Sequence, residues 1–595
     1  EEERLKIEEE QKKIEEEAKK KKEQEKKAKE ISIVNKPDPT KVYKNQPLNK
    51  GTIFSDELFK PEKNNLCPID SKGNWVLPED VWESDVEGWE VFKWCRAEEI
   101  FDSENFQVFE DGVSANDINQ GSIGDCYFLS VIGSLCKYPK LIERLFYSKE
   151  KTKEHLYGVY IFINGIWQLV LLDDYFPYIG SDFKEFAFSF SHQNELWISL
   201  LEKAWAKING NYAKIGCGGS PNEVFDVLTE AFSEAVTIKP KEKDKLWQKM
   251  IDAEKNNWVM TAGTSGDVQN LDIEEVGLSP AHAYTVLKVF EVKSNNKTER
   301  LVRLRNPWGN GEYSGAWSDS SNKWTKALKA EYGITNEDDG VFHMCYNDFL
   351  KYYVTMGFAK IHPNNSTSAV IIKTEEATKC QLIKVTIPKD GLLTYLNLYQ
   401  KNPRIVLKDG SYQQPVLCFL LLVDDKFNYI ESTSSKDMNI CIEKELKKGT
   451  YYLFCDVNYR YANKNGVCHN YNITSYAPEE VTLENITKNT SDIPKKLQEA
   501  LFSFAKKKGK TKNNCKVYAY STLSEILPFV IIAYENPTSS NYKSTTNITY
   551  KGSQPSGCVY CDDKYGESET KIVKDLKAKS KNLVIIMRYS LSSII

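Results

Sequence analysis

No apolar run in this 595-residue chain is long enough to cross a bilayer. The longest runs, such as "VLCFLLLV" at 416–423, are strand-sized, so no transmembrane segment is expected. Charge of one sign is also lacking. Lys and Arg number 79 against 84 Asp and Glu, a net charge of −5 that argues against a dedicated nucleic-acid binder. The 14 cysteines lie among apolar strands and helices, without the loop spacings of a disulfide framework, which predicts reduced thiols and a cytoplasmic location. Cys558 and Cys561 in "GCVYCDD" have metal-like spacing, but zinc needs four convergent ligands and no second pair follows, so they read as ordinary thiols. No signal peptide is expected ahead of the fold, and Asn-x-Ser/Thr triplets such as that of Asn472 read as chance.

What is present suffices for several cores. Hydrophobic residues make up 41% and aromatics 12% of a length that predicts about three or four domains. Residues 1–30 repeat on a seven-residue period with only one strong apolar position (Ile7, Ile14), too few for a coiled-coil seam. A charged helical arm follows from that, with a solvated tail as its simplest role. Residues 31–75 read as a linker entering the next fold. In 76–225, "CYFLSVIGSLC" has helical spacing with Asp125 placed for the first turn. Two apolar strands flank Asn164-Gly165 as a hairpin, and "NELWISLLEKAWAKING" lays Trp197, Leu200, Leu201, Ala204, Trp205 and Ile208 on one helical face. Strands dominate 226–363, so a helical half followed by a strand-rich half predicts two lobes. Short strands separated by turns over 365–485 predict a β-sandwich, and 491–595 a last, small β-rich domain.

Cys126 stands apart from the other thiols. It follows Gly-Asp at a helix start, where the helix terminus favours the nucleophilic thiolate. Of six histidines, five sit in polar or mixed contexts without an obvious supporting group. His282 lies at the mouth of the apolar strand "HAYTVLKVFEV". A second strand ends at Asn306, followed by Pro307 and Trp308. The Asn306 amide could accept from the imidazole and fix its tautomer under cover of the indole, the logic of a Cys-His-Asn triad. Taken singly, His282 reads as structural and Asn306 as a turn residue; their joint occurrence changes the reading. Gln120, with Gly121 and Gly124 permitting a tight turn toward the thiol, reads with the Cys126 backbone N–H as an oxyanion hole.

"QGSIGDCYFLSVIGSL", "LLEKAWAKINGNYAKIGCGG", "AHAYTVLKV" and "RLRNPWGNGEYSGAWSD", in that order, resemble the calpain catalytic core over roughly residues 54–362. The resemblance implies an α+β, papain-like two-lobe cysteine protease core, followed by an all-β sandwich and a further small C-terminal β-rich domain. It makes Cys126 the nucleophile, His282 the general acid/base, Asn306 its orienter and Gln120 an oxyanion donor. It also implies calcium, held in the first lobe by Asp117, Glu202 and carbonyls near Glu110 and Gly112. The second-lobe site would be Glu312, Asp319, Asp339 and a carbonyl near Glu337. Two positions depart from the family: Tyr127 replaces a usual tryptophan, and Val341 stands where another carboxylate is common. Calcium sensitivity is therefore expected to rest mainly on the first lobe. For each of these acids, an exposed carboxylate or salt bridge is an equal alternative. No EF-hand loop occurs, so the chain resembles the shorter calpains without a calmodulin-like tail.

The function expected is that of an intracellular, calcium-activated cysteine endopeptidase performing limited proteolysis of protein substrates, with a phospholipid or protein partner at the sandwich by analogy. A transglutaminase-like acyltransferase uses similar groups, but Gln120 and the Asn306-Pro307-Trp308 context argue against it. A calpain-derived, non-catalytic scaffold is the other alternative, although no triad member is lost here.

Overall fold

The computed structural model describes residues 52–587 except 79, 102–104, 181–183, 267–272, 295–296, 374–379, 403, 406–415, 458–469, 491–492, 509, 513–515, 522–528, 536–541, 550–568 and 577–580. The charged arm expected over 1–30, the start of the linker, and Cys558 with Cys561 lie outside the described residues. The chain divides into two compact units, Glu1–Asn365 with Arg404–Tyr412, and Ser366–Pro403 with Gln413–Ile595.

In the first unit, helix α1 (Cys126–Leu135) begins at the thiol, and every residue after Cys126 is buried, as its nearly continuous apolar sequence requires. Strands β1 (Tyr157–Ile163) and β2 (Ile166–Leu172) form the expected hairpin. Asn164 and Gly165 both have positive φ, 52° and 84°, as a two-residue type I′ turn demands. Helix α2 (Trp197–Asn209) buries its predicted stripe, but it is enclosed well beyond one face, Glu202 and Lys203 included. Lys203 tolerates this because its ammonium pairs with Asp173 and donates to the Tyr175 carbonyl at 2.7 Å. Two short helices follow, α3 (Tyr212–Gly216) and α4 (Pro221–Leu228).

The strand-rich half supplies β3 (Ser233–Thr237), α5 (Lys243–Lys255), β4 (Val259–Thr264), β5 (Ala283–Ser294), β6 (Lys297–Arg305), β7 (Val341–Cys345) and β8 (Tyr353–Ala359). The strands form one antiparallel sheet in the order β7-β6-β5-β4-β8-β3. Trp247 and Met250 of α5 share a core with Val289, Val302 and Phe342 of that sheet. The β5–β6 register pairs Thr285 with Arg305, with an irregularity between Val286 and Lys288. His282, just before β5, and Asn306, just after β6, therefore emerge at the same end of one hairpin. The two halves are tied together nearby. Thr285 Oγ1 donates to the Ser130 carbonyl at 2.7 Å, Arg305 Nη2 to the Ile118 carbonyl at 2.8 Å, and the Gln120 N–H to the Pro307 carbonyl at 3.0 Å.

The second unit opens with two facing antiparallel sheets. One joins β9 (Ser366–Ile372), β11 (Leu392–Tyr399), β14 (Asn439–Leu446) and β16 (Tyr471–Ala477); the other joins β10 (Gln381–Ile387), β12 (Cys418–Val423), β13 (Tyr429–Ser435), β15 (Gly449–Val457) and β17 (Thr482–Asn485). Ile383, Leu420 and Leu453 from the second sheet meet Leu396, Ile442 and Ile473 from the first. The opposite face of the second sheet carries Leu382, Leu421 and Phe454, and helix α6 (Ile493–Lys508) covers it with Leu497, Leu501 and Phe504. Burial on both faces explains why β12 reads as an unbroken apolar run and not an alternating one. Strands between Lys510 and Met587 form a four-stranded sheet and a two-stranded pair.

Candidate active site

A cleft of about 840 Å³ in the first unit is lined by Gln120, Cys126, Gly218, Gly219, His282 and Trp308, among others. Cys126 is the first residue of α1, where the helix dipole favours a thiolate. Burial acts more strongly in the opposite sense. It pushes the thiol up to about 11, with the Ala283 backbone N–H partly offsetting the rise. Burial likewise lowers His282 to about 4, against the favourable bond to Asn306. At neutral pH this state of the cleft holds a thiol and a neutral imidazole.

Asn306 fixes the imidazole. Its Nδ2 donates to the Gly311 carbonyl at 3.1 Å, which turns Oδ1 toward His282 Nε2 at 2.8 Å; the same oxygen accepts from the Trp308 N–H at 3.1 Å. An amide oxygen accepts only, so the proton belongs on Nε2 and Nδ1 is left as the base. The Trp308 ring lies 4.6 Å from the imidazole and Tyr284 meets it edge-on at 4.8 Å, so two aromatic rings flank it. Ala281, next to the histidine, has a φ of 48°, a conformation L-residues rarely adopt.

Gln120 Nε2 donates to the Ile123 carbonyl at 2.5 Å. That uses one of its two N–H groups. Gly121 and Gly124 are needed here for a reason other than the turn freedom expected. Neither has positive φ, but a Cβ on Gly121 would lie 2.4 Å from the Phe188 carbonyl oxygen, and one on Gly124 2.2 Å from that of Gly216.

Asp125 occupies the N-cap position of α1 without capping it, contrary to its expected role in the first turn. Its carboxyl is fully buried and faces Glu202. Burial and then that neighbour raise it well above the ordinary range, while burial raises Glu202 to about 7. Tyr127, in place of a tryptophan, satisfies its polar tip. The hydroxyl donates to the Ile215 carbonyl at 3.2 Å and accepts from Trp205 Nε1 at 3.0 Å. Two histidines read as unsupported do have carboxylate partners. His155 Nδ1 is 2.7 Å from Asp174, and His343 Nδ1 is 2.9 Å from Asp319, in both cases buried.

Among the described residues, no group of three or more His, Cys, Asp or Glu side chains forms a metal cage. The first-lobe calcium set does not come together as expected. Glu202 is committed to Asp125 and to the Ser189 N–H at 3.0 Å, because α2 carries it into the interior behind Cys126. Asp117 accepts from the Ser114 N–H at 2.7 Å, and its carboxylate neighbours are Asp111 and Glu195. Gly112 has a φ of 101° in the preceding loop. In the second lobe the donor chemistry does suit a hard divalent cation. Burial first, then the like charges of Asp319, Asp339 and Asp338, push Glu312 up to about 7. Val341 contributes a backbone donor in place of a carboxylate, its N–H holding Asp339 Oδ1 at 2.9 Å.

The family model of calpain family cysteine proteases matches residues 54–360, more than half of the chain. The chain belongs to the calpain family. Calpain-1 catalytic subunit of Homo sapiens is 32% identical over 338 residues, covering 55% of this chain and 44% of that protein. Calpain-A of Drosophila melanogaster is 30% identical over 335 residues, covering 54% and 38%. The calpain-type cysteine protease ADL1 of Oryza sativa subsp. japonica is 29% identical over 326 residues, covering 52% and 14%. The chain thus spans less than half the length of these curated calpain relatives. A solved clostridial cysteine protease, Cwp84, aligns with a TM-score of 0.18, at which the likeness decides nothing about the fold.

Sequence reading missed the Asp125–Glu202 pair and the Arg305 bridge between the halves of this calpain core. The adjacency of Asp125 to the nucleophile was visible. Its partner was not, since Glu202 sits in a helix that reads as amphipathic.

Proposed function

We propose that this calpain-family chain is a cysteine endopeptidase that performs limited proteolysis through Cys126, His282 and Asn306, activated by calcium in the cytoplasm. The observation that carries the reading is the His282–Asn306 bond, which leaves a basic Nδ1 in the cleft that Cys126 lines. The thiol proton passes to Nδ1 as sulfur bonds to the substrate carbonyl carbon, and the carbonyl electron pair moves onto oxygen between the Gln120 side-chain N–H and the Cys126 N–H. Collapse of this intermediate breaks the C–N bond, with His282 returning its proton to the leaving amine. A water molecule then attacks the thioester, giving its proton to His282, and sulfur leaves as the acid product departs.

Glu312, Asp319 and Asp339, with Asp338 beside them, are the residues that would hold calcium. The ion would supply positive charge that relieves their mutual repulsion. Asp117 is proposed only as an accessory carboxylate. The cytoplasmic location is proposed from the placing of the cysteines among apolar strands and helices, Cys67, Cys95, Cys418 and Cys455 being buried. A phospholipid or protein partner at the sandwich, residues 365–485, remains an analogy with the family.

The decisive experiment is cleavage of casein by the purified chain across a calcium titration, with Cys126→Ala as control. Calcium-dependent fragments from the parent, absent in the variant, are expected. Equal cleavage by well-folded Cys126→Ala would overturn the mechanism, and full parental activity in chelator would overturn calcium activation.

A further inference from the structure

Part of the cleft wall is the segment 214–219, whose Cys217, Gly218 and Gly219 line the same cavity as Cys126 and His282. Such a link between short helices has carbonyls that helix bonding cannot satisfy. Here two side chains from remote positions do so. Tyr127 Oη donates to the Ile215 carbonyl at 3.2 Å. Arg404 Nη2 donates to the Lys214 carbonyl at 2.7 Å and also to the Gly218 carbonyl, across 186 residues of sequence. Arg404 Nη1 reaches Glu223 at 3.4 Å, and the guanidinium lies over the Tyr127 ring with its carbon 5.2 Å from the centroid. The packing has no slack. A Cβ on Gly219 would sit 2.4 Å from Arg404 Nη1 and 2.6 Å from Tyr127 Cε2. Gly218, with a φ of 86°, has nothing within 4 Å of where its Cβ would be, and it lines the same cleft as Cys126.

We infer that Arg404 is a positioning residue for peptide substrate: it clamps the 214–219 wall against Tyr127 and so sets where an extended chain lies relative to Cys126. One guanidinium nitrogen serves both carbonyls while the other reaches Glu223 and the planar group lies over the Tyr127 ring, a combination that the point charge of an ammonium does not reproduce. Arg404 touches no reacting atom, so its effect should fall on substrate alignment and not on the reactivity of the thiol. This inference rests on the peptidase reading above.

The test compares the parent with Arg404→Ala and Arg404→Lys. It uses a peptide substrate long enough to run along the wall, and iodoacetamide, which needs only the thiol. For the peptide, Arg404→Ala should raise KM about tenfold with a smaller change in kcat, and Arg404→Lys should fall between. The alkylation rate and its pH profile should match the parent in both variants. Peptide kinetics unchanged in both variants would overturn the inference. So would a fall in alkylation equal to the fall in peptide cleavage, which would mark a general loss of structure. If Arg404→Ala does not fold, Arg404→Lys decides between these results alone. A parent that neither cleaves peptide nor is labelled at Cys126 would refute the peptidase reading itself, a different result from an active parent indifferent to Arg404.

Discussion

His282 Nε2 and Asn306 Oδ1 are 2.8 Å apart, and the same oxygen also takes the Trp308 backbone N–H. The asparagine is therefore held from two sides before it holds the histidine. Losing it removes the imidazole's one hydrogen bond to this side chain, together with the bonds to Trp308 and Gly311; the bond to the imidazole is worth about 1–2 kcal/mol, which corresponds to roughly tenfold in rate. Losing the imidazole removes the proton carrier. We expect His282→Ala to lower kcat/KM by about 10³- to 10⁴-fold, Asn306→Ala by much less, and Cys126→Ala to abolish turnover. Initial cleavage rates of the three purified variants give the order, and an Asn306→Ala protein as fast as the parent would remove Asn306 from the site.

The neutral thiol and imidazole make a second expectation. Burial disfavours the charged form of each group, so the acid moves up to about 11 and the base down to about 4. In calcium-free protein, alkylation of Cys126 should keep rising with pH toward about 11. A plateau of reactivity below pH 8 would show instead that a thiolate–imidazolium pair already exists.

The Asp125–Glu202 pair should leave a signature in thermal stability. Glu202 has a raised pKa of about 7 against an ordinary value of 4.5, so between those values the folded chain keeps a proton that the unfolded chain releases. The associated stability is fully present below 4.5, is lost as pH rises toward about 7, and changes little beyond. Parent Tm should fall from pH 5 to pH 8 more than that of Glu202→Gln, which carries no such proton. Parallel Tm curves would mean that the two carboxyls do not share the burden.

Calcium dependence is expected to follow the second lobe. Glu312→Gln or Asp339→Asn should move the activation midpoint to higher calcium more than Asp117→Ala does, the reverse of the ordering read from Val341. Since Glu312 stands at about 7, calcium binding at neutral pH should release protons, and affinity should rise with pH through that range. Calorimetry in two buffers of different ionisation heat measures that release without reference to activity. A larger shift for Asp117→Ala, or binding without proton release, would return the weight to the first lobe.

Legibility in the sequence followed locality. Helix α1, the Asn164-Gly165 turn and the strands bearing His282 and Asn306 are written in short-range patterns, each a consequence of period or turn chemistry. Gly121 and Gly124 were noticed for backbone freedom, yet what requires them is contact with carbonyls at 187–188 and 216, which no local pattern encodes. The same holds for Glu202, assigned to calcium by resemblance and found beside Asp125. It holds equally for Arg404, whose partners at 214 and 218 are brought to it only by the fold.

The helix α6 laid over the five-stranded sheet also bears on where the chain can be cut. Leu382, Leu421 and Phe454 are dry only because Leu497, Leu501 and Phe504 lie on them. Each such side chain left bare forfeits about 1.5–3 kcal/mol of burial. A protease nick or a stop codon just before Ile493 would leave a greasy sheet face for other molecules to stick to. A soluble fragment of this region should therefore extend at least through Lys508.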